Sequence, residues 1–202
     1  KYEAQEKLLQ DRNSYSKTDS DATVHQMKDG QLLPSYNIQH TTQNQYILNY
    51  GVFQQASDSP TLIPHWKKLK ERLLRIFVAP NQMSVCADAG YGSEENYAYL
   101  EGEKVAAYVK YQLWYREVTG VLAKSVYRRE NWKFIAEENV YICPNGRELV
   151  YKEDQIDRST NGYDRKVQIY ESKSCEGCPV AGDCKKSEDK ARTVRHSSEN
   201  ER

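Results

Sequence analysis

The sequence predicts an α/β fold: an antiparallel hairpin and a strand–helix–strand unit, followed by a small cysteine-stapled β-rich module. Three observations predict it. The stretch YNIQHTTQNQYILNYGVFQQ is rich in β-branched and aromatic residues on both sides of a polar TQNQ break. The run MSVCADAGYGSEENYAYLEG followed by VAAYVKY reads as strand, turn, helix and strand. Cys143, Cys175, Cys178 and Cys184 fall in the last third of the chain among strand-like fragments.

Composition narrows the function classes before any element is placed. The 202 residues carry 29 Lys+Arg against 29 Asp+Glu, a net charge of zero, which excludes a basic arm or an acidic tail as the main theme. Hydrophobic residues make up 38% and the mean hydropathy is −0.90, so apolar side chains must concentrate in a few elements. One domain with a polar appendage is expected rather than two full cores. No stretch approaches the ~20 apolar residues of a membrane helix, and KYEAQEKLLQ has no signal-peptide character. A soluble cytoplasmic chain without a membrane partner is expected, and a segment of a longer protein.

The elements follow in order. YEAQEKLLQDR is a short helical candidate, and the polar SYSKTDSDATVHQMKDGQLLP after it reads as an extended connector in which Asp19 and Asp21 form turns. Two antiparallel strands are expected at about 36–42 and 46–54. Leu62, Trp66, Leu69, Leu73 and Ile76 recur at steps of four, three, four and three, which puts them on one face of a helix over about 61–77. Its other face carries Lys67, Lys68, Lys70, Arg72 and Arg75. Pro60 suits the first helical position, whereas Pro64 threatens the ladder and leaves the start uncertain.

A short buried strand then ends at Asp88, with Cys86 packed inside it. A Gly-Tyr-Gly turn leads to Ser93, a helix cap with Glu94 and Glu95 in the first turn. That helix stops at Gly102, and a buried strand at about 105–111 completes a crossover with its two strands parallel. Beyond Tyr111 come NVYIC, ELVYK and KVQIYE, separated by Pro144-Asn145-Gly146 and Asn161-Gly162. The end, KKSEDKARTVRHSSENER, reads as solvated or disordered. The resulting divisions are 1–35 connector with a short helix, 36–111 core segment, 112–195 cysteine-rich module and 196–202 tail.

Cys175-x2-Cys178-x5-Cys184, with Cys143 upstream, has the spacing of a shared metal site. A tight turn brings two sulfurs to one side and more distant cysteines close the tetrahedron. Zn2+ is the first expectation, because four thiolates can hold together a module too poor in apolar residues to fold alone. A [4Fe–4S] cluster also takes four cysteines, and the C-x2-C-P-x4-C wording is similar to the iron–sulfur staple of RecB-type nucleases. Two basic groupings could touch phosphates: Lys67, Lys68 and Arg72 on the helix, and Arg128, Arg129 and Lys133 interleaved with Tyr127 and Trp132. A solvated helix face and a hydrophobic anchor are the respective alternatives.

ADAGYGSEENYAYLE with VAAYVKY, preceded by YSKTDSDATVHQMKDGQLLPSYNIQHTTQNQYILNYGVFQQASDSPTLIPHW and followed by CPNG and YESKSCEGCPVAGDC, resembles the DDE transposases of bacterial insertion sequences. The resemblance runs from about Tyr15 to about Thr193, and the chain looks like the subgroup whose RNase H-like core is interrupted, between the second and third acidic residues, by a cysteine-bearing insert. It implies a partial RNase H-like core here, with Asp88 as the second catalytic acid and a ligand of Mg2+. The family's first acid, in D-G-T, and its third, in Y-x2-R-x3-E, have no match, so an internal segment with one of three carboxylates is expected. The implied parent cleaves and joins DNA at transposon ends and target, acting as a homodimer. A non-enzymatic zinc-ribbon interaction module and an iron–sulfur nuclease are the alternatives.

Overall fold

The computed structural model describes residues 2–9, 12–76, 83–121, 124–185 and 191–197. The chain forms two compact units, 1–112 and 113–202. Each has its own buried cluster, where composition suggested one core with an appendage. Helical wrapping in the first unit and a single sheet in the second let few apolar residues serve two cores.

The first unit begins with helix α1 (Tyr2–Leu9). Strands β1 (Thr23–Gln26) and β2 (Leu32–Ser35) then pair antiparallel, with Thr23 opposite Ser35, across a turn where Gly30 takes φ +88°. This hairpin replaces the expected connector. Its signal is weak because Leu32 and Leu33 are adjacent and exposed, so no alternation marks the strand. Strands β3 (Asn37–Gln43) and β4 (Tyr46–Phe53) form the second antiparallel pair. Asn44 and Gln45 between them both adopt left-handed φ, +48° and +71°, the primed turn that matches strand twist.

Helix α2 (Leu62–Arg75) follows a 3₁₀ turn over Ser59–Thr61. Pro60 sits in that turn and Pro64 in the first turn of α2, where its missing N–H would have had no intrahelical partner. Leu62, Ile63, Trp66, Leu69 and Leu73 are buried, while Ile76 caps the helix and is 66% exposed, outside the expected apolar face. Phe77, the expected last residue, lies outside the described residues. Strand β5 (Ser84–Ala87), a 3₁₀ turn (Ala89–Tyr91), helix α3 (Glu94–Gly102) and strand β6 (Ala106–Val109) complete the unit. β5 and β6 are parallel, with Cys86 opposite Tyr108. Ser93 Oγ accepts from Asn96 N at 3.2 Å, the N-cap its sequence position implies.

β5 and β6 are not buried strands. Val85 and Met83 pack on the Trp66–Leu69–Leu73–Val105 cluster and Val109 on Leu62, Ile63 and Leu100. The other face is open, so Cys86 is exposed rather than packed and Tyr108 is 68% exposed. A V-C-A run reads as interior, but a two-stranded sheet has one covered side only.

The second unit has helix α4 (Trp114–Val118) and one antiparallel sheet in the order β11-β10-β9-β8-β7 among the described residues. Its strands are β7 (Lys133–Ile135), β8 (Val140–Ile142), β9 (Glu148–Arg158), β10 (Asp164–Ser172) and β11 (Thr193–His196). Helix α5 (Ala181–Cys184) is a single turn. Trp132, Tyr141, Leu149, Tyr170 and Val194 form its buried cluster. Within the expected solvated end, residues 191–197 are structured: β11 pairs with β10, and Val194, His196 and Ser197 are buried. Residues 186–190 and 198–202 of that stretch lie outside the described residues.

Candidate functional site

Asp88 leaves β5 in extended conformation and its Oδ1 accepts from Gly90 N at 2.6 Å, so the side chain caps the 3₁₀ turn while remaining exposed. Three residues that carried no sequence signal build its surroundings. Asp58 Oδ1 accepts from Asn37 Nδ2 and Gln39 Nε2, both at 2.9 Å. Tyr91 donates its hydroxyl proton to Gln39 Oε1. Asn96, fully buried, donates through Nδ2 to Ser59 O at 2.8 Å and Tyr91 O at 2.7 Å. Burial, then the carboxylates of Asp58 and Asp88, push the Tyr91 phenol up to about 12, which keeps it a donor at neutral pH. These residues are polar and scattered over sixty positions, so no local pattern could have grouped them.

The four clustered cysteines line one cavity of about 20 Å3, together with Arg147, Leu149, Ser172 and Arg192. Cys143 N donates to Arg147 O at 2.9 Å and Gly146 N to Cys143 O at 2.8 Å, with Gly146 at φ +72°, which wraps the chain around the first sulfur. Cys143 Sγ accepts from Arg147 N at 3.3 Å, and Cys175 Sγ from Arg192 N at 3.3 Å. The Arg147 guanidinium donates to Ser174 O at 2.8 Å and Glu176 O at 2.9 Å, tying the Cys143 turn to the Cys175 loop. Burial pushes the Cys184 thiol up. Burial also raises Cys175, but its hydrogen bonds to Ser172 and Arg192 N and the charges of Lys185 and Arg147 outweigh it, so that thiol is lowered. Among the described residues, no group of three or more His, Cys, Asp and Glu side chains is arranged to hold a metal ion.

Four of the six basic residues have protein partners. Lys67 Nζ lies 5.9 Å from the Tyr99 ring centroid, Lys68 Nζ 5.6 Å from that of Phe53, and Arg72 Cζ 5.4 Å from that of Tyr50. Arg129 Nη1 contacts His196 Nδ1 at 2.9 Å. Arg128 is half-buried and Lys133 is exposed on β7. Trp132 is 8% exposed, donates to Val126 O at 2.8 Å and is covered by Arg192, so it packs the core rather than offering a stacking surface.

Among the described residues no helix is long and apolar enough to cross a membrane. No curated protein and no solved structure matches the chain. A family model described as Transposase DDE domain matches residues 142–202, which include all four clustered cysteines and exclude Asp88. Over residues 142–202, under a third of its length, the chain is similar to the transposase DDE domain family.

Proposed function

We propose that this chain is part of a DNA transposase that cleaves phosphodiesters and transfers strands at the ends of an insertion sequence. The family match over 142–202 carries the reading. It lies downstream of a strand–turn–helix whose strand is followed by Asp88, an exposed carboxylate held by the turn, a position that suits a metal-ligating acid. Mg2+, the kind of ion such enzymes employ, would activate a nucleophile and neutralise charge on the transferring phosphoryl group. The described residues do not assemble a complete carboxylate set for it, so Asp88 would supply one ligand and no step is assigned to the rest. DNA is the partner, a homodimer the working form and the cytoplasm the compartment. Full-length protein should lose essentially all transposon excision on Asp88→Asn, which keeps shape and removes charge. Residues 1–202 alone should give no Mg2+-dependent nicking, and nicking abolished by Asp88→Ala would overturn the single-carboxylate reading.

In the second unit we assign a structural Zn2+ to Cys143, Cys175, Cys178 and Cys184. The donor chemistry supports it: four cysteines line one cavity and two of their sulfurs accept backbone N–H groups, although the described side chains would have to draw closer together to share one ion. Elemental analysis should find zinc in wild type and its loss in Cys178→Ser. Equal zinc in both would contradict the assignment, and a brown protein absorbing near ~400 nm would favour iron–sulfur.

A further inference from the structure

Asp29 and Asp58 bracket a stretch with no Asp, Glu, Lys or Arg, in a chain that is 29% charged. That stretch holds β2, β3 and β4, and apart from His40 its exposed side chains are neutral. Beside it, α2 gathers charge of one sign: Lys67, Lys68, Lys70, Arg72 and Arg75 stand against Glu71 alone. Among the described residues only Lys70 of these five pairs with a carboxylate, that of Glu103. The zero net charge of the chain therefore hides a local cationic ridge.

Lys68 and Arg72, four positions apart on α2, reach aromatic rings of β4 instead of carboxylates, Phe53 and Tyr50 respectively. A ring attracts a cation through its quadrupole without neutralising it, so both side chains keep their charge and their N–H donors for an anion. The field at this place is positive. After burial, the charges that lower the His65 pKa are those of Lys68, Arg72 and His40. His40 is exposed and lies directly opposite Tyr50 across the hairpin. Tyr50 is 62% exposed, so a ring steadied by the Arg72 guanidinium still has surface for a flat partner.

We propose that this edge of β4 and α2 binds single-stranded DNA, with a base stacked on Tyr50 and the flanking phosphates on Lys68 and Arg72. It deepens the transposase reading, which supplies DNA as the nucleic acid, and it does not involve Asp88. Each part of the surface answers one part of the ligand: the cations take phosphates and the ring takes the face of a base. The absence of carboxylates from β3 and β4 removes the repulsion that would oppose a polyanion. A duplex keeps its bases stacked on one another, and an acidic peptide has no bases. Either would use the cations and leave Tyr50 idle.

The test is fluorescence anisotropy of a labelled single-stranded oligonucleotide of mixed sequence, titrated with the whole 202-residue chain at concentrations where it sediments as a monomer. The annealed duplex of the same sequence is the second probe. The single strand should bind several-fold more tightly than the duplex. Tyr50→Leu should weaken the single strand about ten-fold, the loss of one stacked base, and leave the duplex unchanged. Tyr50→Phe should keep the wild-type value. Arg72→Gln should weaken both probes and make the slope of log affinity against log salt shallower by about 0.7 on the single strand, one phosphate contact. Lys28→Gln, the same charge change in the turn between β1 and β2, should alter neither. Equal affinity for the two probes, wild-type single-strand affinity in Tyr50→Leu, or a loss in Lys28→Gln as large as in Arg72→Gln overturns the proposal and leaves Asp88 standing. Polyglutamate that competes as well as the oligonucleotide overturns it in favour of an acidic partner. Should Tyr50→Leu fail to fold, the Arg72→Gln slope decides, and an unchanged slope overturns the proposal. Excision that survives Asp88→Asn in the full-length protein would overturn the transposase reading without moving either binding midpoint.

Discussion

His65 shows how one side chain in α2 sets a pH limit on the first unit. It is 9% exposed, its Nε2 lies 2.8 Å from Thr41 Oγ1, and its carbonyl accepts from Asn49 Nδ2 at 3.1 Å. Burial, then the charges of Lys68, Arg72 and His40, lower its pKa from the ordinary histidine value. The folded state therefore favours the neutral ring, and the unfolded chain binds the extra proton first. Stability from this group is fully present above the unfolded value of about 6.5 and is lost as pH falls through the lower folded value. Protection of the α2 amides, corrected for intrinsic exchange, should fall between pH 7 and pH 5, and His65→Gln should flatten that dependence. An unchanged slope in His65→Gln would show that another group is responsible. The sequence offered His65 only as a member of an apolar helix, because its burial depends on β3 and β4 packing over it.

At the scale of elements, legibility followed periodicity. α2 was readable from its three- and four-residue steps, and the β3–β4 hairpin from its aromatic and β-branched runs around Asn44-Gln45. β11 was not, because Arg195 alternates with Val194 and His196 inside a run that is charged overall. The Asp58–Gln39–Tyr91–Asn96 network was not readable either, since hydrogen-bonded polar residues leave no hydrophobic period. Two glycines around α3 separate a packing requirement from a tolerated one. A Cβ on Gly92 would lie 2.4 Å from Lys110 O, a backbone atom just beyond β6, and 2.7 Å from Tyr97 Oη. Its φ of −67° suits any residue, so the demand is for space alone. Gly102, in the last turn of α3, has nothing within 4 Å of such a Cβ. Gly102→Ala should stabilise the unit by roughly 0.5–1 kcal/mol by restricting the unfolded chain. Gly92→Ala should destabilise it by about 1–3 kcal/mol as the backbone beside β6 shifts. Urea midpoints of the two variants give the signs, and a neutral Gly92→Ala would mean that this backbone yields freely.

On the scale of the whole molecule, the sheets of the first unit have two strands each among the described residues, and β3–β4 is covered on one side. The inner face of β3–β4 carries Gln39, Asn49 and Gly51, all buried. The outer face carries Ile38 at 66%, Ile47 at 66%, Tyr50 at 62% and Val52 at 55% exposure, with Ile38 directly opposite Val52. Scattered apolar residues on a surface are ordinary, but here Ile38 and Val52 face each other across the strands, with Tyr50 and Ile47 continuing along β4 opposite His40 and Thr42. Burying such a patch gains about 25 cal/mol per Å2 of apolar area, whereas leaving it in water keeps the strands' open edges available for pairing. The chain should therefore self-associate as its concentration rises, and high salt should not dissolve the association, because the patch is apolar. The double variant Ile38→Thr, Val52→Thr keeps β-branched side chains on both strands and should sediment as a monomer over the same range while retaining its thermal transition. Concentration-dependent sedimentation that is identical in wild type and variant would place the association elsewhere, and a wild type monomeric throughout would mean that the patch is too small to drive it.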